Sequence, residues 1–295
     1  MKVSPYVCRL RLAEEIADIR QQAAYTSEML YAETGIQRQK ISHIETANRR
    51  VDPAVVRQIL SHLSVPEPRC AKVMRWAQGS ARPGWWERFD DEMGPRQART
   101  ADLEQGATAI FQYQPFLVPG LLQTQAFAKV RAEADRHANS RRFSMARMLE
   151  ARTRRQAVLS GPDAIPLQVV IDEAVIRRRS APRDVMREQL DHLIGAALNQ
   201  PSVTVRILPF SAEMEGHIQA RTAFSRYTYG EADDPVVVVV DTNVDDLIFQ
   251  DRDLEQQAKV IVYTGLEAEL ERAALNPVES IEYLTNAAED CLTRR

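Results

Sequence analysis

The stretch that decides the fold of the first part of the chain is TSEMLYAETGIQRQKISHIE, from Thr26 to Glu45. Thr26 is a good N-cap, because its hydroxyl can accept a hydrogen bond from a free backbone N–H in the first turn of a helix. Gly35 can end that helix, since glycine tolerates the left-handed conformation. Ile41 and Ile44 lie three residues apart and share one helical face. The stretch predicts two short helices joined by a glycine turn.

The second predicted helix, residues 37–45, has polar side chains opposite its apolar face, and Gln37 is expected to cap it. Arginine pairs bidentately with guanine and glutamine with adenine. The residues predicted to read bases are Arg38, Gln39, Ser42 and His43. The residues predicted to contact phosphates are Thr26, Ser27, Gln37, Lys40, Arg49 and Arg50. Two alternatives remain open from spacing alone: an αα-hairpin that binds nothing, and a solvated loop at Arg49 and Arg50.

The same segment resembles a known family of DNA-binding proteins. The matching elements are Leu30-Tyr31-Ala32, Gly35, Ile41-Ser42, Ile44-Glu45 and the basic loop that ends at Pro53. These residues are similar to the XRE (Cro/C1-type) helix-turn-helix regulators of bacteria. The resemblance implies that residues 37–45 enter the DNA major groove.

Composition is that of an ordinary soluble globular protein, with 295 residues, 44% hydrophobic residues and a net charge of −3. Residues 1–70 carry ten Lys or Arg against eight Asp or Glu, the sign expected of a part that meets DNA. The three cysteines, Cys8, Cys70 and Cys291, form no CxxC pair, which fits a reducing compartment. No apolar run is long enough to span a membrane. We therefore expect a cytoplasmic protein.

The predicted fold class is α+β: an N-terminal all-α helix-turn-helix domain followed by a mixed α/β domain with a small sheet. The expected boundaries are residues 1–78 for the first domain, 79–84 (GSARPG) for a linker and 85–295 for the second domain. Apolar periodicity predicts a first helix from Leu10 to Ala24, whose charged residues Glu14, Glu15, Asp18 and Arg20 face water. Residues 101–134 are expected to be helical, with breaks at Pro115 and at Pro119-Gly120, and so are residues 141–159. The sheet is expected between residues 166 and 249, with strands at 166–172, 203–208, 224–229, 235–241 and 246–249.

The second domain has its own resemblance, which with the first covers nearly the whole chain in order. The phrase VPGLLQT at Val118 to Thr124, the segments RTRRQAVL and IDEAVIRR, the strand that ends in LPF, and Phe224 carry it. They resemble the large domain of WhiJ-like, antitoxin-like regulators of actinobacteria. The resemblance implies a transcription regulator that can pair with a small protein encoded nearby, and it supplies no ligand or catalytic site.

Residue patterns that carry chemistry point to no catalytic site, no cofactor and no metal. The five histidines lack metal-ligand spacing, and adjacent Asp172 and Glu173 favour a helix-start or ion-pair role over acid–base work. Six arginines between Arg141 and Arg155 could contact a phosphate, but a network with Glu150, Asp172 and Glu173 is favoured. An interface core is favoured over a ligand pocket for the aromatic residues Trp85, Trp86, Phe111, Tyr113 and Phe116. The loop from Glu213 to Gln219 is a candidate gate or partner surface.

Two functional hypotheses follow. The first is a sequence-specific transcriptional regulator, not an enzyme, that binds a palindromic operator in double-stranded DNA as a homodimer. Its second domain would then serve dimerisation, a small protein partner or effector sensing. The second is a small-molecule-binding or enzymatic α/β protein that uses the helical N-terminus for oligomerisation. The sequence contains no catalytic motif, so the regulator is the favoured hypothesis.

Overall fold

Five helices occupy the first 80 residues of the computed structural model, which describes residues 3–47, 49–134, 143–217, 219–231, 234–242 and 245–293. The helices are α1 (Pro5–Gln22), α2 (Ser27–Thr34), α3 (Arg38–Glu45), α4 (Pro53–His62) and α5 (Glu67–Ser80). Their shared core is apolar, and its side chains are almost fully buried; it includes Leu12, Ile16, Leu30, Ile41 and Ile59. Burial of this one apolar face from each helix holds the bundle together.

Helix α1 starts five residues earlier than the periodicity predicts. The Ser4 side chain accepts a hydrogen bond from the Val7 N–H at 3.1 Å, and Pro5 occupies the first helical position. Proline suits that position because its missing N–H has no helical partner to lose. The same arrangement begins α4, where the Asp52 side chain caps the helix ahead of Pro53.

The expected linker is shorter than predicted, because α5 extends through Gly79 and Ser80. Both residues are buried, and a Cβ atom placed on Gly79 would lie 2.6 Å from the Cys8 Sγ atom. Glycine is therefore needed here for close packing of α5 against α1. Composition alone suggests instead that the segment is a linker. The domain boundaries themselves stay a prediction.

A six-stranded sheet follows, in the order β3-β2-β1-β4-β5-β6. The strands are β1 (Ala109–Gln114), β2 (Leu167–Asp172), β3 (Val203–Leu208), β4 (Phe224–Thr228), β5 (Val237–Val240) and β6 (Leu247–Gln250). Strands β1, β2 and β3 are parallel, and β4, β5 and β6 continue the sheet with antiparallel pairing. The chain is therefore α+β, as the sequence predicts.

Strand β1 corrects the prediction of a helical segment over residues 101–134. It lies at the centre of the sheet, between β2 and β4, and its residues Ile110, Phe111 and Tyr113 are buried. Gln112 is buried as well, and its amide donates a hydrogen bond to the Ser225 hydroxyl at 3.2 Å. A central strand covered on both faces has no polar–apolar alternation, so its period is not visible in the sequence. The expected sheet of residues 166–249 lacked this strand.

The remaining helices are α6 (Asp90–Gly106), α7 (Gln125–Ala134), α8 (Met145–Gln156), α9 (Glu173–Arg177), α10 (Arg183–Asn199), α11 (Leu254–Ala273) and α12 (Pro277–Thr293). Helix α6 is kinked at Gly94, whose φ of 63° is left-handed, just before Pro95. The predicted helix of residues 141–159 is confirmed from Met145 to Gln156 and continues as a 3-10 turn. Arg141 and Arg142 lie outside the described residues. Across the described ranges, no helix is both long and apolar enough to span a membrane.

The chain divides into two compact units. The first, which we call the head unit, contains residues 1–88, 98–107 and 229–235. The second, the sheet unit, contains residues 89–97, 108–228 and 236–295. The head unit is therefore built from three separate segments of the chain.

Two late segments supply acids to the first helix of the head unit. The Asp102 carboxylate accepts hydrogen bonds from the Ser4 hydroxyl at 2.6 Å and the Tyr6 N–H at 3.1 Å, and lies 3.8 Å from the Arg9 guanidinium. Burial is the largest influence on Asp102 and raises its pKa, while Ser4, Tyr6 and Arg9 oppose the rise. Likewise, Arg11 forms ion pairs with Glu231 and Asp234. Helix α1 thus depends on residues far along the chain.

Candidate nucleic-acid interface

Helices α2 and α3 form the two-helix unit predicted from Thr26 to Glu45. The Thr26 hydroxyl accepts a hydrogen bond from the Met29 N–H at 3.1 Å and caps α2. Gly35 ends α2 with a left-handed φ of 71°, and its N–H donates to the Tyr31 carbonyl. Ile36, in the turn, is buried. The cap and the glycine turn are confirmed.

The back of α3 is fixed by apolar contacts and by one ion pair. Ile41 and Ile44 are buried, as their spacing predicts. The Arg20 guanidinium binds both carboxylate oxygens of Glu45, at 2.6 and 3.1 Å, and also donates to the Tyr25 carbonyl at 2.7 Å. This fork links α1 to the end of α3 and to the segment before α2. Arg20 therefore does not face water freely, which corrects the prediction for α1.

A second set of ion pairs corrects the prediction that the charged residues of α1 face water. The Arg69 guanidinium on α5 donates hydrogen bonds to Glu15 at 2.5 Å and to Asp18 at 2.5 Å. A third hydrogen bond reaches the Gln22 side chain at 2.8 Å. These acids on α1 bind another helix, so periodicity identified their polar face but not the partner that covers it.

The front of α3 is open to solvent. Arg38, Gln39 and Ser42 are exposed, and His43 is half-buried. All four lie away from the buried isoleucines on a helix of eight residues. Arg38 lies 3.4 Å from Glu28, but both side chains are largely exposed, at 63% and 78%. An exposed pair of this kind contributes little stability, so the guanidinium can exchange Glu28 for another partner. The base-reading roles stay a prediction.

The predicted phosphate contacts differ in their surroundings. Lys40 and Arg49 are exposed. The exposed Thr26 uses its hydroxyl for the helix cap, and Ser27 is half-buried at the start of α2. Gln37 occupies the cap position of α3, but its side chain makes no capping hydrogen bond, so that part of the prediction is wrong. Glutamine reaches past the first turn, and its exposed amide remains available.

Arg50 has a partner that the sequence did not indicate. Its guanidinium forms an ion pair with Glu87, and the same carboxylate oxygen accepts a hydrogen bond from the Gly84 N–H at 2.7 Å. Both side chains are exposed, at 44% and 36%. A phosphate that binds Arg50 must therefore compete with Glu87.

Comparison with known families finds two matches along the chain. A family described as "Helix-turn-helix domain" matches residues 11–73, which contain α2, α3 and α4. A family described as "Domain of unknown function (DUF5753)" matches residues 97–286, more than half of the chain. The chain belongs to the DUF5753 family. No curated protein and no solved structure matches it. The helix-turn-helix match indicates that this DUF5753 protein is a DNA-binding regulator.

In this DUF5753 chain, the adjacent acids Asp172 and Glu173 start a helix and form an ion pair, as the sequence predicts. Asp172 caps α9, because its Oδ1 atom accepts a hydrogen bond from the Ala174 N–H at 2.8 Å. Glu173 forms an ion pair with Arg177 at 3.2 Å, one turn along the same helix. Interactions with Tyr283, Phe210 N–H and Arg177 lower the pKa of Glu173 even though burial, the largest single influence, raises it. The helix-start and ion-pair interpretation is confirmed.

Two arginines of α8, Arg147 and Arg152, contact groups outside the predicted set. Arg147 forms an ion pair with Glu92 at 3.1 Å, and Arg152 donates to the Gln123 side chain at 2.8 Å and to the Gly120 carbonyl at 3.4 Å. Gly120 and Gln123 belong to the VPGLLQT phrase. This helix therefore positions that loop, a role that spacing could not indicate because the partner acceptor groups are about 30 residues away.

The aromatic residues also separate into different surroundings. Trp85 and Trp86 contact each other edge-on, with ring centroids 5.9 Å apart. Phe111 and Tyr113 pack around Phe224 in the sheet core, at 5.7 and 6.1 Å. The fifth residue, Phe116, is 55% exposed. In the part of the chain that the structure describes, no group of three His, Cys, Asp or Glu residues could hold a metal ion.

Proposed function

We propose that the protein is a sequence-specific transcriptional regulator, not an enzyme, that places residues 37–45 in the major groove of double-stranded DNA. The observation that carries the proposal is the two-sided character of α3. Its back is buried and fixed through Arg20 and Glu45, while Arg38, Gln39 and Ser42 project into solvent. A rigid helix with a free polar front is what direct readout of base edges requires.

Backbone contacts around this helix would position it without reading sequence. Thr26 and Ser27 lie at the start of α2, Gln37 and Lys40 at the start of α3, and Arg49 in the loop that follows. Helix starts also attract phosphates through their free N–H groups. We propose these side chains, together with Arg50, as the phosphate contacts.

The proposal includes a homodimer on a palindromic operator. Helix-turn-helix domains usually bind as dimers, and each copy then places its reading helix in one of two half-sites about 34 Å apart. Pairing with a small neighbour-encoded protein, as in antitoxin-like regulators, is supported by the resemblance of the VPGLLQT phrase and its neighbours. Its test is copurification of the partner with the tagged protein from the native host.

Selection of bound fragments from random DNA tests the main proposal. We expect one enriched motif, arranged as an inverted repeat with half-site centres about one helical turn apart. Fragments selected by a variant with Arg38, Gln39 and Ser42 all replaced by alanine serve as the control and should show no motif. A wild-type selection that enriches nothing would contradict sequence-specific binding, and an unpaired motif would contradict the dimer.

The Arg50–Glu87 pair predicts opposite effects of two substitutions. Glu87→Gln frees Arg50 and should tighten binding to all DNA sequences alike, with a log–log salt slope steeper by about one charge. Arg50→Ala should weaken all sequences alike and make the slope shallower by up to the same amount. Fluorescence anisotropy at several salt concentrations measures both. Arg75→Ala, which removes an exposed charge on α5, is the control. Equal slopes for the three variants would exclude Arg50 from the interface.

A further inference from the structure

A cavity of about 480 Å³ lies in the sheet unit, outside the carboxyl ends of the three parallel strands. Tyr113 of β1, Asp172 of β2 and Leu208 of β3 line it, and each stands at or next to the last residue of its strand. In sheets of this kind, ligands bind in the crevice beyond these strand ends, because the connecting loops diverge there. The volume falls within the roughly 300–1,000 Å³ typical of small-molecule sites.

Two uncovered phenyl rings line this cavity. Phe116 follows β1 and Phe210 follows β3, and their exposed fractions are 55% and 69%. Pro115, Pro209 and Met214 add further apolar lining. Exposed aromatic rings that converge on one concave site offer faces on which a flat ligand can stack. These residues favour a ligand with an aromatic body.

Two arginines supply the charge that would orient such a ligand. Arg178, just after α9, and Arg221, just before β4, both line the cavity and are exposed. Within the described ranges, neither guanidinium has an ion-pair partner. Two carboxylates also line the cavity: Asp172, which already caps α9, and Glu213, which is exposed. Guanidinium groups bind carboxylates and phosphates bidentately, so the unpaired arginines favour an anionic group.

Tyr113 and Asp172 form the polar floor. The Tyr113 hydroxyl lies 3.5 Å from the Asp172 Oδ2 atom. Burial, with a smaller contribution from Asp172, raises the pKa of Tyr113, so its phenol stays protonated. Because the Tyr113 hydroxyl donates to Asp172 and Asp172 already caps α9, the floor offers remaining acceptor positions for a donor group of the ligand, while the arginines take its charge.

We propose that this cavity is a binding site for a small aromatic anion, which stacks on Phe116 and Phe210 and pairs through its anionic group with Arg178 and Arg221. The loop that begins at Glu213, a candidate gate or partner surface from sequence, would contribute Met214 and Gln219 to this site. The proposal adds a ligand to the DNA-binding regulator. It does not depend on the interface at α3, so either one can fail alone.

A pair of matched fluorescent probes tests the charge and the stacking separately. The first is 8-anilinonaphthalene-1-sulfonate, an aromatic anion, and the second is the uncharged N-phenyl-1-naphthylamine. We expect both probes to saturate one site per full-length chain. The double variant Arg178→Ala/Arg221→Ala should weaken the anionic probe at least tenfold and the neutral probe less than twofold. The control Arg179→Ala/Arg183→Ala removes two nearby charges that do not line this cavity and should change neither affinity more than twofold.

A substitution that fills the cavity with a large side chain gives a second test of the site. Ala212 lines the cavity at a half-buried position, and Ala212→Trp should abolish binding of both probes. Circular dichroism and the thermal midpoint show whether that variant is folded. If Ala212→Trp does not fold, the arginine variants alone test the site, since exposed side chains such as Arg178 and Arg221 can be replaced without disturbing the fold. Absence of saturable binding to the wild type would overturn the proposal. The proposal would also be overturned if the Arg178→Ala/Arg221→Ala variant bound the anionic probe as tightly as the wild type does. Equal weakening of the anionic probe by the two double variants would overturn it as well.

Discussion

We expect Arg38→Ala and Gln39→Ala each to reduce strongly the preference for the operator over random DNA, while the protein stays folded. A bidentate contact between one side chain and one base discriminates by about 1–3 kcal/mol, so each loss should reduce selectivity by roughly 5- to 150-fold. The fold should tolerate both changes, because the side chains are exposed and substitutions at such positions usually cost less than about 0.5 kcal/mol.

A gel-shift competition measures this selectivity against the selected motif and a scrambled duplex of the same length. Glu28→Gln is the matched control, since it removes the carboxylate 3.4 Å from Arg38 and leaves the base-reading side chains in place. That variant should keep the preference and bind at least as tightly as the wild type. Selectivity that survives in both alanine variants would remove Arg38 and Gln39 from the base-reading set.

Asp102→Ala should destabilise the head unit by about 3–5 kcal/mol, the range observed when one member of a buried ion pair is deleted. The substitution leaves the buried Ser4 hydroxyl without its acceptor and the Arg9 guanidinium without its nearest carboxylate. Asp102→Asn should cost less, because an amide oxygen can still accept hydrogen bonds from Ser4 and the Tyr6 N–H. The order of stability is therefore wild type, Asn, Ala.

Denaturant unfolding followed by tryptophan fluorescence isolates this effect. All three tryptophans, Trp76, Trp85 and Trp86, belong to the head unit. The exposed Glu28 on α2, also in the head unit, is the control position; its pair with Arg38 is largely exposed, so Glu28→Ala should shift stability by less than about 1 kcal/mol. An Asp102→Ala variant as stable as the Glu28→Ala variant would show that the buried carboxylate does not support α1.

The helix-turn-helix could be predicted from sequence because its signals are local. The Thr26 cap, the Gly35 turn and the spacing of Ile41 and Ile44 each act within a few residues. Strand β3 was also visible, because its apolar residues alternate with Thr204 and Arg206, and β2 was visible in the segment LQVVID. Strand β1 was not, since the amide nitrogen of its buried Gln112 finds its hydrogen-bond partner in Ser225, 113 residues later. A contact at that separation leaves no periodic trace.

The candidate sites divide in the same way. The front of α3 follows from one helix, so its polar residues could be named from their spacing. Its ion-pair partners could not, because Glu87 lies 37 residues from Arg50 and Glu45 lies 25 residues from Arg20. Of the cavity, sequence named only Tyr113 and Phe116, in the less favoured ligand-pocket alternative, and the loop from Glu213 to Gln219. The complete site could not be predicted, since it exists only when three parallel strands bring their ends together.

The three-segment construction of the head unit also affects how the protein is made. The segment 229–235, which carries both acids that pair with Arg11, leaves the ribosome long after residue 88. At synthesis rates of about 5–20 residues per second, the delay is roughly seven to thirty seconds. A nascent or prematurely terminated chain therefore lacks the complete head unit. Translation itself therefore delays the completion of this unit until most of the sheet unit's residues have been synthesised.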